Sequence, residues 1–163
     1  MRQADRSTLV VALLGSAITV ALASETAERL TPEEITALPS VEAGAGTSGV
    51  SGMRTTVLVG DPSKPGIYTI QIVVPPHTTI QAHHHRDDRI ATVISGLWYI
   101  GYGETRADSL LKEMPAGSFY TEPGGTAHFA GTKAQSAVVR ITGFGPSDTV
   151  YIDAANAPGA TRH

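Results

Sequence analysis

Short β-branched and apolar segments, each bounded by a cluster of Gly, Pro, Asp or Ser, fill the chain from residue 54 onward. The turn clusters recur at intervals of about 8–12 residues, a spacing typical of sandwiches and barrels. The 17 Gly and 10 Pro also favour short strands joined by turns over a helical bundle. We therefore expect an all-β domain, with Ser95-Gly96 as a hairpin turn. The predicted strands cover residues 55–59, 67–74, 80–85, 90–94, 97–102, 118–122, 127–131, 137–144 and 149–153.

The region before this domain divides into two parts. Residues 1–23 resemble a signal peptide, because Arg2 and Arg6 precede an apolar run that ends in Ala21-Leu22-Ala23. The run is shorter than the ~20 residues of a comfortable membrane span. We expect cleavage before Ser24, with an uncleaved N-terminal anchor as the alternative. Either outcome places the folded part in the periplasm or outside the cell, and cleavage leaves it without a membrane span.

Residues 24–53 are expected to form an arm with one short helix. Thr31, Pro32 and Glu34 match a capping box with proline at the first helical position. Pro39 ends the helix, and the stretch 41–52, rich in Gly, Ala and Ser, predicts a linker or an irregular arm. A turn of helix is also predicted within residues 108–114, and residues 154–163 are expected to form a flexible tail.

Composition excludes several classes of function. The chain has 163 residues and a formal charge of −3 without a Lys/Arg cluster, so nucleic acid is not an expected partner. It contains no cysteine, which excludes disulfides, thiolate ligands and a cysteine nucleophile. No serine lies in a G-x-S-x-G elbow, and there is no phosphate-binding loop.

With those classes excluded, the histidines are the candidate functional residues. Side chains alternate along a strand, so His83 and His85 share one face and His84 points to the other. Two imidazoles at this spacing form half of a metal site and need a ligand from another strand. His128, which follows the tight segment Pro123-Gly124-Gly125, is the candidate of that kind. The alternative is a polar strand edge without a metal.

The same residues fall into a two-part pattern that resembles the cupin superfamily. The first cupin motif, G-x5-H-x-H-x(3,4)-E-x6-G, finds its H-x-H at residues 83–85 and its closing glycine at Gly96. The second, G-x5-P-x-G-x2-H-x3-N, is matched at Gly117, Pro123, Gly125 and His128. The resemblance covers residues 54–153. It implies a double-stranded β-helix, that is, a jelly-roll barrel, with a divalent metal held by His83, His85 and His128, and it makes a homodimer the default expectation.

Three positions depart from the motifs. His77 stands at the opening glycine, Thr132 at the closing Asn, and Arg89 at the glutamate that usually supplies a fourth ligand. A guanidinium cannot ligate a metal. Three alternatives follow for the site. It is a three-histidine site with open coordination positions, or Asp87 or Asp88 supplies the missing carboxylate ligand, or the barrel holds a binding pocket without a metal.

Arg89 and the nearby acids admit two interpretations. Arg89 either binds the carboxylate of an anionic substrate or is a surface arginine paired with Asp87 or Asp88. Glu122 is a candidate acid beside the metal, although strand parity at residue 122 is ambiguous. Trp98, Tyr99 and Tyr102 are expected in the barrel wall.

Three imidazoles suit Fe, Mn, Zn, Ni or Cu, and geometry decides among these metals. Within the superfamily a three-histidine set resembles thiol dioxygenases, whereas three histidines with a glutamate resemble germins and oxalate enzymes. We therefore expect an exported metal-binding cupin that acts on or binds a small polar or anionic molecule. The alternative is a non-catalytic module that binds a small molecule or a metal.

Overall fold

The computed structural model describes residues 27–160, so the predicted signal segment lies outside the described residues. Among these residues, no helix is long and apolar enough to cross a membrane. One α-helix, α1, spans Pro32–Ala37, and two short 3-10 helices span Asp108–Leu110 and Ala154–Asn156. The ten strands are β1 (Val41–Glu42), β2 (Arg54–Val59), β3 (Gly66–Val74), β4 (Thr79–His84), β5 (Arg89–Tyr102), β6 (Lys112–Pro115), β7 (Phe119–Glu122), β8 (His128–Gly131), β9 (Ala137–Gly145) and β10 (Val150–Tyr151).

All of the strand pairings are antiparallel, and they join the strands in the order β1-β2-β3-β9-β5-β8-β4-β10. Strands β6 and β7 both pair with β5, on its second and first half respectively. The first half of β5 thus belongs to one sheet and the second half to the other. This arrangement confirms the predicted all-β jelly roll.

Strand β5 corrects the predicted hairpin at Ser95-Gly96. The chain does not reverse there; one strand of 14 residues continues from the first sheet into the second. The pairing with β9 shifts register between Val93 and Ser95, which is a β-bulge. Gly96 has a φ of +76°, and a Cβ at this position would overlap the carbonyl oxygen of Ser136. A glycine beside a bulge lets the strand bend around the barrel corner, and its local sequence is the same as that of a hairpin turn.

Residues 41–52 lie against the barrel as an arm that is irregular apart from the short strand β1, and they are not a free linker. Residues 41–42 pair with β2 as strand β1. Thr47 and Ser48 are buried, with exposed fractions of 6% and 7%. Their carbonyl oxygens accept hydrogen bonds of 2.7 Å each from the hydroxyls of Thr149 and Tyr151. The hydrogen-bond partners lie more than 100 residues away along the chain. The composition of residues 41–52 therefore cannot predict these contacts.

The predicted helix is confirmed with its capping box. The Glu34 amide donates to Thr31 Oγ1 at 3.3 Å, and the Thr31 amide donates to the Glu34 carboxylate at 2.7 Å. The predicted turn of helix at residues 108–114 is a 3-10 turn followed by β6. The core between the sheets is built from inward-facing residues at alternate strand positions, among them Tyr68, Ile70, Val74, Val93, Val139 and Ile141.

Candidate metal centre

Three histidines meet at one end of the barrel interior. His83 lies near the end of β4 and pairs directly with His128, the first residue of β8. His85 follows β4 and, two positions on from His83, faces the same side. The exposed fractions of His83, His85 and His128 are 3%, 1% and 2%. Their potential ligand atoms all lie within 4.8 Å of one another, so the structure brings together the three residues that the motifs singled out.

Hydrogen bonds fix the orientation of all three rings. Each Nδ1 lies against a backbone carbonyl oxygen, at 2.7 Å for His83, 2.5 Å for His85 and 3.1 Å for His128. A carbonyl only accepts, so each Nδ1 carries the proton and each Nε2 keeps its lone pair. The Nε2 of His85 is buried without a hydrogen-bond partner in the described chain. The acceptors belong to Gln81, Asp148 and Thr126 respectively.

The imidazoles are neutral at physiological pH. Burial lowers the pKa of His83 to about 4 and that of His85 to about 2, and it also lowers the pKa of His128. A neutral imidazole with a free Nε2 is the form that binds a metal ion. An orphaned Nε2 beside two convergent ones fits a divalent ion, since an unpartnered buried nitrogen is otherwise unfavourable. The residues present thus fit the metal that the motifs imply.

Arg89 and Glu122 form a buried ion pair beside these histidines. Each side chain is 4% exposed. Arg89 Nε donates to Glu122 Oε2 at 2.7 Å, and a second guanidinium nitrogen donates to the same oxygen. A third donates to the carbonyl oxygen of Gly46 at 2.6 Å. The expectation of a surface arginine paired with Asp87 or Asp88 is therefore wrong. Glu122 and Gly46 together engage three of the five guanidinium N–H groups of Arg89.

The Glu122 side chain faces the barrel interior, which settles which face of its strand residue 122 occupies. Its Oε1 lies 3.7 Å from His128 Nε2, and its Oε2 lies 3.9 Å from His85 Nε2. Burial alone would raise the pKa of Glu122, but the charge of Arg89 outweighs it, and the pKa falls to about 2. The group beside the histidines is therefore a carboxylate and not a carboxylic acid.

Neither Asp87 nor Asp88 faces the histidines as a ligand. The two oxygens of Asp87 accept hydrogen bonds of 2.7 Å from the Tyr68 and Ser147 hydroxyls. Asp88 is exposed, and its Oδ1 accepts from the Gly124 amide at 2.8 Å. The pattern D-D next to H-x-H indicated a carboxylate near the site, but these contacts direct both acids into the loops around it.

A cavity of about 20 Å³ lies beside the histidines, with space for about one water molecule. Trp98 and Tyr120 are among its lining residues, and the buried indole N–H and phenol hydroxyl lie close to one another. Residues 46–48 of the arm close one side. Sequence reasoning missed these arm residues and Tyr120; the alternation that places Glu122 inside would have identified Tyr120. The rest of the lining is mostly apolar and includes Met53, Ile72, Ile80, Ala130 and Ile141.

The other histidine and aromatic candidates lie outside this cluster. His77 is exposed in the turn between β3 and β4, and His84 is half-buried outside the three-histidine group. Trp98 is buried and lines the cavity beside the histidines, Tyr99 is buried at the sheet, and Tyr102 is 46% exposed. His163 lies outside the described residues.

The remaining motif departures share one turn. The Thr78 amide donates to Thr132 Oγ1 at 3.0 Å, and the Thr132 amide donates to the Thr78 carbonyl oxygen at 2.9 Å. The His77 amide donates to the carbonyl oxygen of Lys133 at 2.7 Å. Thr132, at the closing Asn of the second motif, and His77, at the opening Gly of the first, thus tie the ends of β4 and β8 together and do not enter the site.

No protein-family model matches this chain, and no curated protein matches it. Several solved structures, in contrast, are similar to it. The polyketide cyclase RemF from Streptomyces resistomycificus is similar with a TM-score of 0.64 at 13% identity, covering 82% of this chain and 90% of RemF. An RmlC-like cupin from Shewanella frigidimarina has a TM-score of 0.55 at 14% identity, covering 75% of this chain and 95% of that one.

A sugar phosphate isomerase of the cupin superfamily from Silicibacter pomeroyi has a TM-score of 0.53 at 17% identity, covering 76% of this chain and 81% of that one. At these identities the matches speak for the fold and not for the activity. The sequence motifs, the strand order and the similarity to these structures together show that this chain has the fold of the cupin superfamily.

Proposed function

We propose that this chain is an exported cupin that holds a divalent metal ion with His83, His85 and His128 and acts on or binds a small polar or anionic molecule there. The observation that carries the proposal is the set of three buried imidazoles, each with Nδ1 bonded to a carbonyl oxygen and Nε2 left for the ion. A divalent ion in such a site supplies Lewis acidity or a place for oxygen chemistry.

The cavity limits what the ligand can be. Trp98 and Tyr120 add two neighbouring polar groups to a mainly apolar lining, which suits a small molecule with a hydrogen-bond acceptor such as a carboxylate or carbonyl oxygen. Glu122 and Gly46 hold Arg89 in place through three of its five N–H groups. Recognition of an acceptor on the ligand is then assigned to the indole, the phenol and the other guanidinium N–H groups.

The second candidate function is a non-catalytic module that retains a metal or a small ligand. The size of the cavity favours retention of the metal, since about 20 Å³ holds about one water molecule and neither a substrate nor another small ligand. Catalysis would require residues 46–48 to move away from the barrel. Those residues are held by the hydroxyls of Thr149 and Tyr151 and by Arg89.

Export and assembly complete the proposal. Residues 1–23 support secretion to the periplasm or the medium, on the sequence pattern of a signal peptide. A homodimer is supported by apolar side chains exposed on the outer face of the first sheet. Ile67 and Phe144 pair there across β3 and β9 with exposed fractions of 52% and 66%.

The test is metal analysis of the protein exported from cells and purified without a histidine tag. We expect about one transition-metal ion per chain in the wild type and less than about 0.1 in His85→Gln and His128→Gln. His84→Gln is the matched control, because it removes a neighbouring imidazole outside the cluster, and it should retain the metal. A wild-type protein below about 0.1 ion per chain after growth with added Fe, Mn, Zn, Ni and Cu refutes the metal site. Circular dichroism of each variant shows whether a loss of metal follows from a loss of fold.

A further inference from the structure

The carboxylate that the first motif lacks at residue 89 is present on the neighbouring strand. Arg89 on β5 and Glu122 on β7 are direct partners in the antiparallel register. Both side chains point into the barrel and are buried. The glutamate is therefore one strand away from its usual place, and the arginine occupies that place.

The hydrogen bonds of the pair engage only one oxygen of Glu122. Arg89 donates twice to Oε2, whereas Oε1 accepts no hydrogen bond from any residue that the structure describes. Oε1 lies 3.7 Å from His128 Nε2, too far for a hydrogen bond. Two ligand atoms on one metal with bonds of about 2.1 Å lie roughly 3.0–3.4 Å apart. Relative to His128 Nε2, the free oxygen is thus a few tenths of an ångström beyond this spacing. The mutually close group of ligand atoms contains only the three histidines, so the Glu122 side chain must shift toward them when it binds the ion.

We propose that Glu122 is the fourth protein ligand of the metal, through Oε1, while Arg89 holds Oε2. This inference rests on the proposed metal site and deepens it. With Glu122 bound, the donor set is three neutral imidazoles and one carboxylate, and the formal charge of ion and ligands falls from +2 to +1. The donor set is then three histidines and a glutamate, but with the carboxylate supplied by β7, which lies within the second motif.

The experiment uses Co2+ as the probe, because its visible absorption bands depend on the number and type of ligands. The metal-free full-length mature protein is titrated with Co2+, and both the affinity and the band positions are recorded. In Glu122→Gln we expect the bands to shift and the affinity to fall by about 100-fold or more, beyond the usual 10–100-fold loss for a group outside the ligand set. Asp87→Asn is the matched control. It neutralises another buried carboxylate whose oxygens are engaged by Tyr68 and Ser147, and its bands should match the wild type.

A second pair of variants guards against a folding defect, since Glu122→Gln leaves the Arg89 charge buried alone. Arg89→Met and the double variant Arg89→Met/Glu122→Gln differ only in the carboxylate at residue 122, and the same band shift is expected between them. If the wild type binds Co2+ and neither comparison shifts the bands, Glu122 is not a ligand and this inference is overturned while the three-histidine site stands. If the wild type binds no Co2+ at all, the proposed function itself fails.

Discussion

The buried pair of Arg89 and Glu122 gives the sharpest prediction about stability. Arg89→Met keeps an unbranched side chain but removes the guanidinium and its charge, which leaves the Glu122 carboxylate buried without its partner. Breaking a buried ion pair from one side destabilises a protein by about 3–5 kcal/mol. The pKa of Glu122 has the matching direction: burial raises it, but the charge of Arg89 lowers it to about 2, so the folded protein favours the carboxylate while its partner is present.

The pH dependence of the same variant has a definite sign. In the wild type the folded pKa of Glu122 lies below its ordinary value, so the stabilisation is present above pH 4.5 and is lost as the pH falls toward about 2. Without the guanidinium, burial dominates and raises the pKa of Glu122 above 4.5. The variant therefore gains stability relative to the wild type as the carboxylate takes up a proton, and the difference in free energy of unfolding narrows from pH 8 to pH 5.5. Burial and then the charge of Arg89 lower the pKa of His85, so removing the charge also acts in this direction.

Urea denaturation of the metal-free proteins at several pH values measures this difference. Arg86→Met is the matched control, because Arg86 pairs with Asp148 at 2.6 Å while its side chain is 61% exposed. Such a pair contributes less than about 1 kcal/mol. Adding Glu122→Gln to Arg89→Met should restore part of the stability by removing the lone charge. An Arg89→Met variant that loses no more stability than Arg86→Met at pH 8 would show that the pair is not the buried interaction described above.

Two further substitutions test the surroundings of the site. His77 has a φ of +57°. His77→Gly should raise the free energy of unfolding by about 0.5–1 kcal/mol, because the relief of left-handed strain exceeds the added entropy of the unfolded chain. His77→Ala keeps the Cβ and should give no such gain, so equal effects of the two substitutions would contradict the strain argument. Tyr68→Phe should lower the free energy of unfolding by about 1.5–3 kcal/mol, and with it the melting temperature, because it removes a hydrogen bond to the charged, buried Asp87. Tyr102→Phe is its control, since the Tyr102 hydroxyl donates to a carbonyl oxygen at the exposed surface, and a loss as large as that of Tyr68→Phe would mean that the partner's charge does not matter.

The sequence alone predicted the all-β class, the capped helix and the three histidines, because each depends on neighbours a few residues apart. His83 and His85 share a face through strand alternation, and Thr31 and Glu34 cap one another within one turn. The second motif adds His128 at fixed spacing from Gly117, Pro123 and Gly125. Local periodicity and motif spacing are sufficient for such features.

Other features follow only from contacts between distant segments. The bend at Gly96 was mistaken for a hairpin, because a bulge and a turn use the same residues and differ only in which strand lies opposite. The burial of Thr47 depends on Thr149, 102 positions further along the chain. No pattern within either segment reveals such a partner.

The environment of the metal centre was likewise decided by the tertiary structure. From sequence, Arg89 stood where a ligand was expected, and Asp87 and Asp88 were the nearest acids along the chain. The register of β5 against β7 instead places Glu122 opposite Arg89, and the hydroxyls of Tyr68 and Ser147 hold Asp87 in another direction. Sequence spacing identified the three histidines because they lie in motifs, whereas the carboxylate beside them was set by which strands pair, a property of the whole barrel.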